Sequence, residues 1–343
     1  MRIAGTSLTA ISAVAAAVAI VLSSSAGSVS HSHKQPPVSK IRHERVTLTE
    51  PYAVVLRAAS PVVLDMRTGK TLGRVRVPGH GSDVWWASAA ADDRTFVLAV
   101  DSRTQIYRFY LLRLGRDGRP GTATLIRFAA LHDAQIYGMA LTADGSKLAI
   151  AWQNTPTGPQ RSRIEVVSLA TRATRTWSST EGGGLNVSWD GDRLLAFDWQ
   201  DNAGQGHSGI RLLDTSAPGT NPLASRLLIP YSAVYAGLND PSKPVVARNR
   251  SAIFVLMGGP DGTSTAIVKF SANTGKPLAV ITRPESTNGP QYCGILQADP
   301  TGRQVLAQCG TLQVAINGTE VTRIKLRLSL RASVLGFANT FAW

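Results

Sequence analysis

The 343-residue chain can bury a full-size hydrophobic core, and its 43% hydrophobic and 17% charged residues exclude it from the disordered class. Its 36 Lys and Arg stand against 22 Asp and Glu, a formal net charge of +14. The cations are mostly Arg and lie scattered, with no basic run or basic helix, which argues against nucleic acid and leaves a general attraction to an acidic cell envelope.

Residues 1–26 differ in kind from the rest. Arg2 precedes an uncharged stretch from Ile3 to Leu22, then Ser23-Ser24-Ser25-Ala26. A short cationic start, an apolar middle and small residues at the end make the pattern of a cleaved secretory signal peptide. The alternative is an uncleaved membrane anchor through residues 3–22, since about 20 uncharged residues can span a bilayer. Residues 27–46, with Pro36-Pro37 among Ser, His and Lys, read as a flexible spacer, which leaves 47–343 for the folded domain. The expected location is extracytoplasmic, secreted or attached to the envelope, and the expected state is a monomer.

Beyond residue 47 the chain repeats a phrase: a polar turn, an apolar burst, then a second burst ending in a Thr-Gly-like turn. Thr142-Ala143-Asp144-Gly145-Ser146-Lys147-Leu148-Ala149 and Ser188-Trp189-Asp190-Gly191-Asp192-Arg193-Leu194-Leu195 are the clearest copies. Asp92, Asp144, Asp190, Asn249 and Thr301 occupy equivalent turn positions about 50 residues apart, the period of a β-propeller blade with variable loops. Each repeat divides into four apolar or alternating runs. In one unit they are 135–141, 147–152, 163–169 and 173–177; in the next, 185–189, 193–199, 209–214 and 224–229. No sustained helical period follows residue 26.

The innermost strand of a blade crowds its counterparts around the axis and needs small residues. The candidates are 84–89, 136–140, 185–189, 234–238, 292–296 and 334–338, each with Gly, Ala or Ser near its middle. The last ends the chain, whereas the hairpins over 52–77 lack a preceding inner strand. Joining them closes the ring and removes exposed sheet edges. The expectation is an all-β, six-bladed β-propeller closed by its two ends, with seven or five blades as alternatives.

Asp144-Gly145-Ser146-Lys147-Leu148-Ala149 and Pro300-Thr301-Gly302-Arg303-Gln304-Val305 resemble the outer turns of TolB-like and WD40-like propeller repeats, and Gly79-His80 is similar to the Gly-His of WD40 blades. The resemblance spans about residues 50–343 and implies a scaffold without implying a chemistry.

Strand order places the first-to-second and third-to-fourth turns of every blade on one face, and the second-to-third and blade-to-blade connections on the other. The second set is longer and richer in Gly and polar residues, so ligand binding is expected there. The candidates are Trp152, Asn154, Arg161 and Arg163 from one blade and Asp198, Trp199, Asp201 and His207 from the next, with Glu181, His80 and Trp86 nearby. The alternative is that Trp152 and Trp199 pack between blades and the loop charges are solvated. Cys293 and Cys309 flank the Asp299-Pro300-Thr301-Gly302 turn almost symmetrically; export favours a disulfide, two buried thiols being the alternative.

No nucleophile elbow, His-Glu-x-x-His, Cys-x-x-Cys or P-loop is present, so no catalytic residue, metal or cofactor is assigned. The reading is an exported, non-catalytic propeller that binds a protein, a peptide or an envelope polymer on its long-loop face. The alternative is a metal-dependent hydrolase or lactonase-type propeller, an assignment that Asn186 alone among the inner-strand residues would serve.

Overall fold

The computed structural model describes residues 41–42, 52–56, 60–78, 83–102, 106–128, 130–154, 161–201, 206–247, 250–259, 265–282, 293–298, 304–309, 312–317, 320–324 and 341–342. The proposed signal peptide or anchor therefore lies outside the described residues, as does the proposed inner strand 334–338. No helix among the described residues is long and apolar enough to cross a membrane.

The described elements are strands with one short 3-10 turn, Pro222–Ala224. In chain order the strands are β1 (Ile41–Arg42), β2 (Tyr52–Val55), β3 (Val62–Asp65), β4 (Thr71–Arg74), β5 (Asp83–Ala89), β6 (Thr95–Ser102), β7 (Ile106–Arg113), β8 (Thr124–Leu125) and β9 (Leu131–His132). They continue with β10 (Ala134–Leu141), β11 (Lys147–Asn154), β12 (Ser162–Ser168), β13 (Thr174–Ser179), β14 (Gly183–Asp190), β15 (Leu194–Gln200), β16 (Gly209–Asp214) and β17 (Arg226–Pro230). The last are β18 (Asn239–Val246), β19 (Ala252–Gly258), β20 (Thr265–Ser271), β21 (Pro277–Thr282), β22 (Cys293–Ala298), β23 (Gln304–Cys309), β24 (Leu312–Asn317), β25 (Glu320–Ile324) and β26 (Phe341–Ala342).

Five blades are each made from strands consecutive in the chain: β5–β8, β10–β13, β14–β17, β18–β21 and β22–β25. The expectation of six equivalent blades, with seven as an alternative, is corrected to these five. The remaining sheet, ordered β26-β2-β3-β4, is a smaller one of a different kind: β2, β3 and β4 span four residues each, and β26 adds two from the other end of the chain. There Val54 pairs with Ala342 and Val55 with Phe341, so the two ends do meet. Ile41 and Arg42, within the segment read as a spacer, run parallel to Val321 and Thr322 on β25 and cover the outer edge of that blade.

The first strand of each blade is innermost, and β26, β5, β10, β14, β18 and β22 lie side by side in that order. Buried apolar residues fill the seams between successive sheets: Val54 and Val63 meet Phe96 and Leu98, Phe109 meets Ile136 and Ile150, Ile164 and Trp177 meet Val187 and Phe197, Leu212 meets Ile253 and Val255, and Phe254 meets Val305. The small inner-strand residues have a second task. Ser88 Oγ accepts the backbone N–H of Leu141 at 2.8 Å, and Ser188 Oγ accepts that of Val246 at 3.1 Å, so each ties its inner strand to the next.

The repeating turn follows from its aspartate. Asp144 Oδ1 accepts the Ser146 N–H at 2.9 Å and the Thr142 hydroxyl at 2.7 Å, while Gly145 sits at φ +70, where a side chain would be strained. Asp92 does the same for Arg94 and Thr95, and these hydrogen bonds hold its carboxyl below the usual carboxylate range against the opposing effect of burial.

One expected inner strand is a turn. Tyr235 and Leu238 exchange backbone hydrogen bonds around Ala236 and Gly237, both at positive φ, so 234–238 is a tight two-residue hairpin loop and the inner strand is β18. Pro241 and Pro244 hide β18 from sequence reasoning. An innermost strand has one ladder partner only, so prolines there cost little.

Candidate functional site

The face expected to bind is bordered by the starts of the first and third strands and the ends of the second and fourth. Every described inner strand except the short β26 is irregular at this end. Its register against the second strand slips between Val84 and Trp86, Ile136 and Gly138, Gly184 and Val187, Asn239 and Ser242, and Cys293 and Ile295. A bulge leaves a residue out of the ladder and re-aims its side chain, and bulges concentrate beside functional sites. The residues left out include Trp85, Tyr137, Asn186 and Asp240.

Trp85 is 42% exposed although it lies on an inner strand, whereas its neighbour Trp86 is buried in the seam. Tyr137 is half-buried; its hydroxyl donates to Gln135 Oε1 at 3.0 Å, and desolvation raises its pKa. Sequence reasoning passed over Trp85 and Tyr137, because strict alternation cannot show a bulge. The signal was there in the Trp85-Trp86 and Ile136-Tyr137 pairs, where neighbouring large residues cannot both face one seam.

The bulge in β14 creates the most connected polar group. Asp198 Oδ1 accepts the Asn186 backbone N–H at 2.6 Å, and its Oδ2 accepts Asn186 Nδ2 at 3.0 Å and the Lys243 backbone N–H at 3.1 Å. Asp198 is 2% exposed, so this carboxylate belongs to the seam between two blades and not to a loop rim. Lys243 carries φ +49, and burial pushes its ammonium pKa down while the Asp198 charge acts in the opposite sense.

Trp199 and Trp152 are buried. Trp199 stands edge-on to Phe197 at 6.3 Å, with its Nε1 lacking a hydrogen-bond partner among the described residues, and Gly184 lies close against its ring. Trp152 Nε1 donates to Glu165 Oε2 at 3.4 Å, and the Arg163 guanidinium lies 4.6 Å over the Trp152 ring. Desolvation raises the Glu165 pKa, opposed by the Trp152 hydrogen bond and by Arg163. Arg161 is exposed, and its carbonyl accepts the Asn154 N–H at 3.3 Å.

The loop polar groups form a second set. His207 Nδ1 lies 3.8 Å from Glu181 Oε2, the Asp201 N–H donates to Ser208 Oγ at 2.8 Å, and Gln153 Nε2 donates to Ser162 Oγ at 2.9 Å, which in turn donates to the Gly182 carbonyl at 2.5 Å. Arg211 anchors this loop from below, donating to the carbonyls of His207, Leu223 and Ser225. The structure thus brings Asp201, His207 and Glu181 together at one loop junction and sets the Trp152–Arg163 pair apart in the preceding blade. His80 lies outside the described residues. Among the described residues no three His, Cys, Asp or Glu side chains are grouped as metal ligands. Cys293 and Cys309 are register partners on β22 and β23.

Solved structures show what this arrangement is similar to. The β-propeller domain of Swd1 from Myceliophteria thermophila is 10% identical with a TM-score of 0.50, over 85% of this chain and 87% of that one. A putative TolB from Agrobacterium tumefaciens is 13% identical with a TM-score of 0.50, over 76% and 85%. In fold, the chain is a β-propeller, similar to these two. The periplasmic gluconolactonase PpgL of Pseudomonas aeruginosa is also similar, at 13% identity and a TM-score of 0.50 over 80% and 82%. No family profile matches the chain, and no curated protein matches it in sequence. At these identities the likeness is one of fold.

Proposed function

We propose that the chain is an exported β-propeller that binds a protein, a peptide or a cell-envelope polymer on the face carrying the long connections, without catalysis of its own. The observation that supports this reading is the clustering of inner-strand bulges at that face: the same irregularity recurs in all five blades, at the end of the channel where the long loops gather. The reading includes an extracytoplasmic location, to which the TolB-like and periplasmic neighbours lend indirect support, and a signal peptide or anchor in residues 1–26. It also includes a monomeric state and a Cys293–Cys309 disulfide, for which the cross-strand register of the two cysteines speaks.

Shortening the 153–162 and 200–208 loops tests the reading. Recovery of the bound envelope component should fall with either shortened loop; equal recovery by intact and shortened protein places binding elsewhere. The alternative, a metal-dependent hydrolase or lactonase, draws on the gluconolactonase likeness in fold. One stoichiometric metal ion in purified protein, lost on chelation together with lactone turnover, would establish it in place of the binding reading.

A further inference from the structure

We infer that the bulged end of the channel is a binding site for an uncharged saccharide chain, with Trp85 and Tyr137 as its stacking platform. This rests on the proposal that the long-loop face binds, and gives that face a ligand.

The two aromatic residues occupy equivalent places. Trp85 is the residue left out of the β5–β6 ladder and Tyr137 the residue left out of the β10–β11 ladder, and β5 and β10 are neighbours around the axis. Of the large apolar side chains exposed among the described residues, Trp85 is the one tryptophan, and it projects from a strand whose other tryptophan, Trp86, is buried. A broad ring held in water by a rigid inner strand presents an apolar face with little rotamer freedom to lose on binding.

Polar groups at the same end are mixed in kind. Gln135 and Asn186 supply amides, and Asp240 an exposed carboxylate at φ +54. Asp133 adds a carboxylate at the start of β10. Neighbouring Tyr231 is 37% exposed, and its hydroxyl pKa is raised by burial and by Asp240.

Charge narrows the ligand. A cationic chain would face the formal +14 of the whole protein. An anionic chain would face Asp133 and Asp240 at the mouth itself. An uncharged ligand with flat apolar faces and hydroxyls along its edges meets neither penalty: the faces stack on the two rings, and the hydroxyls pair with amides, which donate and accept, and with carboxylates, which accept.

Calorimetric titration of the full chain with neutral hexasaccharides (β-1,4-glucan, α-1,4-glucan, mannan and chitin series) tests the inference, with lysine-rich and glutamate-rich peptides as competitors. At least one series should bind, Trp85→Ala and Tyr137→Ala should each weaken it by about tenfold or more, and Leu278→Ala, at an exposed position on an outer strand, should leave it unchanged. Trp85→Phe should retain part of the affinity. Thermal melts of each variant verify that the fold persists. Absence of saccharide binding, binding indifferent to both aromatic substitutions, or a charged peptide that binds in a Trp85-dependent way overturns the inference. Where envelope material is retained by the intact protein and lost on loop shortening while Trp85→Ala has no effect, the saccharide assignment fails and the long-loop reading stands.

Discussion

The backbone N–H of Lys243 reaches 3.1 Å across a blade seam to the carboxylate of Asp198, which at the same time holds both nitrogens of Asn186. One buried side chain thereby fixes two adjacent inner strands where both leave regular ladder pairing. Removing it leaves three part-buried donors without this acceptor. Asp198→Ala should destabilise the protein by roughly 3 to 5 kcal/mol, read as a lower urea midpoint, with Asp198→Asn losing less because its carbonyl still accepts.

Glu165 is buried beside Trp152, and desolvation raises its pKa. A carboxyl whose folded pKa lies above its unfolded value contributes stability that is complete below the unfolded pKa and is lost as pH rises through the folded one. Glu165→Gln keeps an acceptor for the indole and removes the buried charge. The variant should therefore melt above the parent at neutral and alkaline pH, and its advantage should vanish as the parent's Glu165 becomes protonated. Thermal melts across that range measure the difference; an advantage that grows toward acid would contradict this account.

Much of the architecture was legible because propeller blades repeat their chemistry. The Asp144-Gly145 and Asp190-Gly191 turns and the strands on either side of them lie where the alternation and the turn residues placed them. What escaped has physical causes. Val234 to Leu238 looks like a strand by composition, but Ala236 and Gly237 adopt positive φ, and the true strand hides behind Pro241 and Pro244. The small closing sheet could not be distinguished from a full blade because strand length is set by pairing partners far away in sequence. Asp198 was legible as polar and interesting in its loop context, yet its burial depends on a bulge in a different strand, which no local pattern encodes. Trp85 was missed for the same reason.

Gly182 carries φ +129, and a Cβ built on it would meet the Gln200 carbonyl oxygen at 2.1 Å. Both the conformation and the close backbone approach forbid a side chain. Gly182→Ala should cost about 2 kcal/mol or more and should free the Ser162 hydroxyl from the Gly182 carbonyl. Chemical denaturation gives the loss, and faster amide exchange at 181–184 should accompany it.

Cys293 and Cys309 are register partners on the neighbouring strands β22 and β23. Protein exported to an oxidising compartment should show no reactive thiol until reduced, and intact mass should rise by two hydrogens on reduction. Cys293→Ser with Cys309→Ser should lower the melting temperature of the oxidised protein, by an amount equivalent to about 2 kcal/mol or more, and should leave the reduced protein nearly unchanged. Two alkylatable thiols in the exported protein would contradict the bond.

The claim on which the functional account turns is that the bulged, long-loop end of the channel is the binding surface. Hydrogen–deuterium exchange of the full chain, with and without a solubilised envelope fraction, reads it directly. Binding should slow exchange in 83–89, 134–141, 181–187, 206–209 and 239–246 and leave the Asp144-Gly145 and Asp190-Gly191 turns on the opposite face unchanged. Protection confined to those turns, with none at the bulged strand starts, would contradict it.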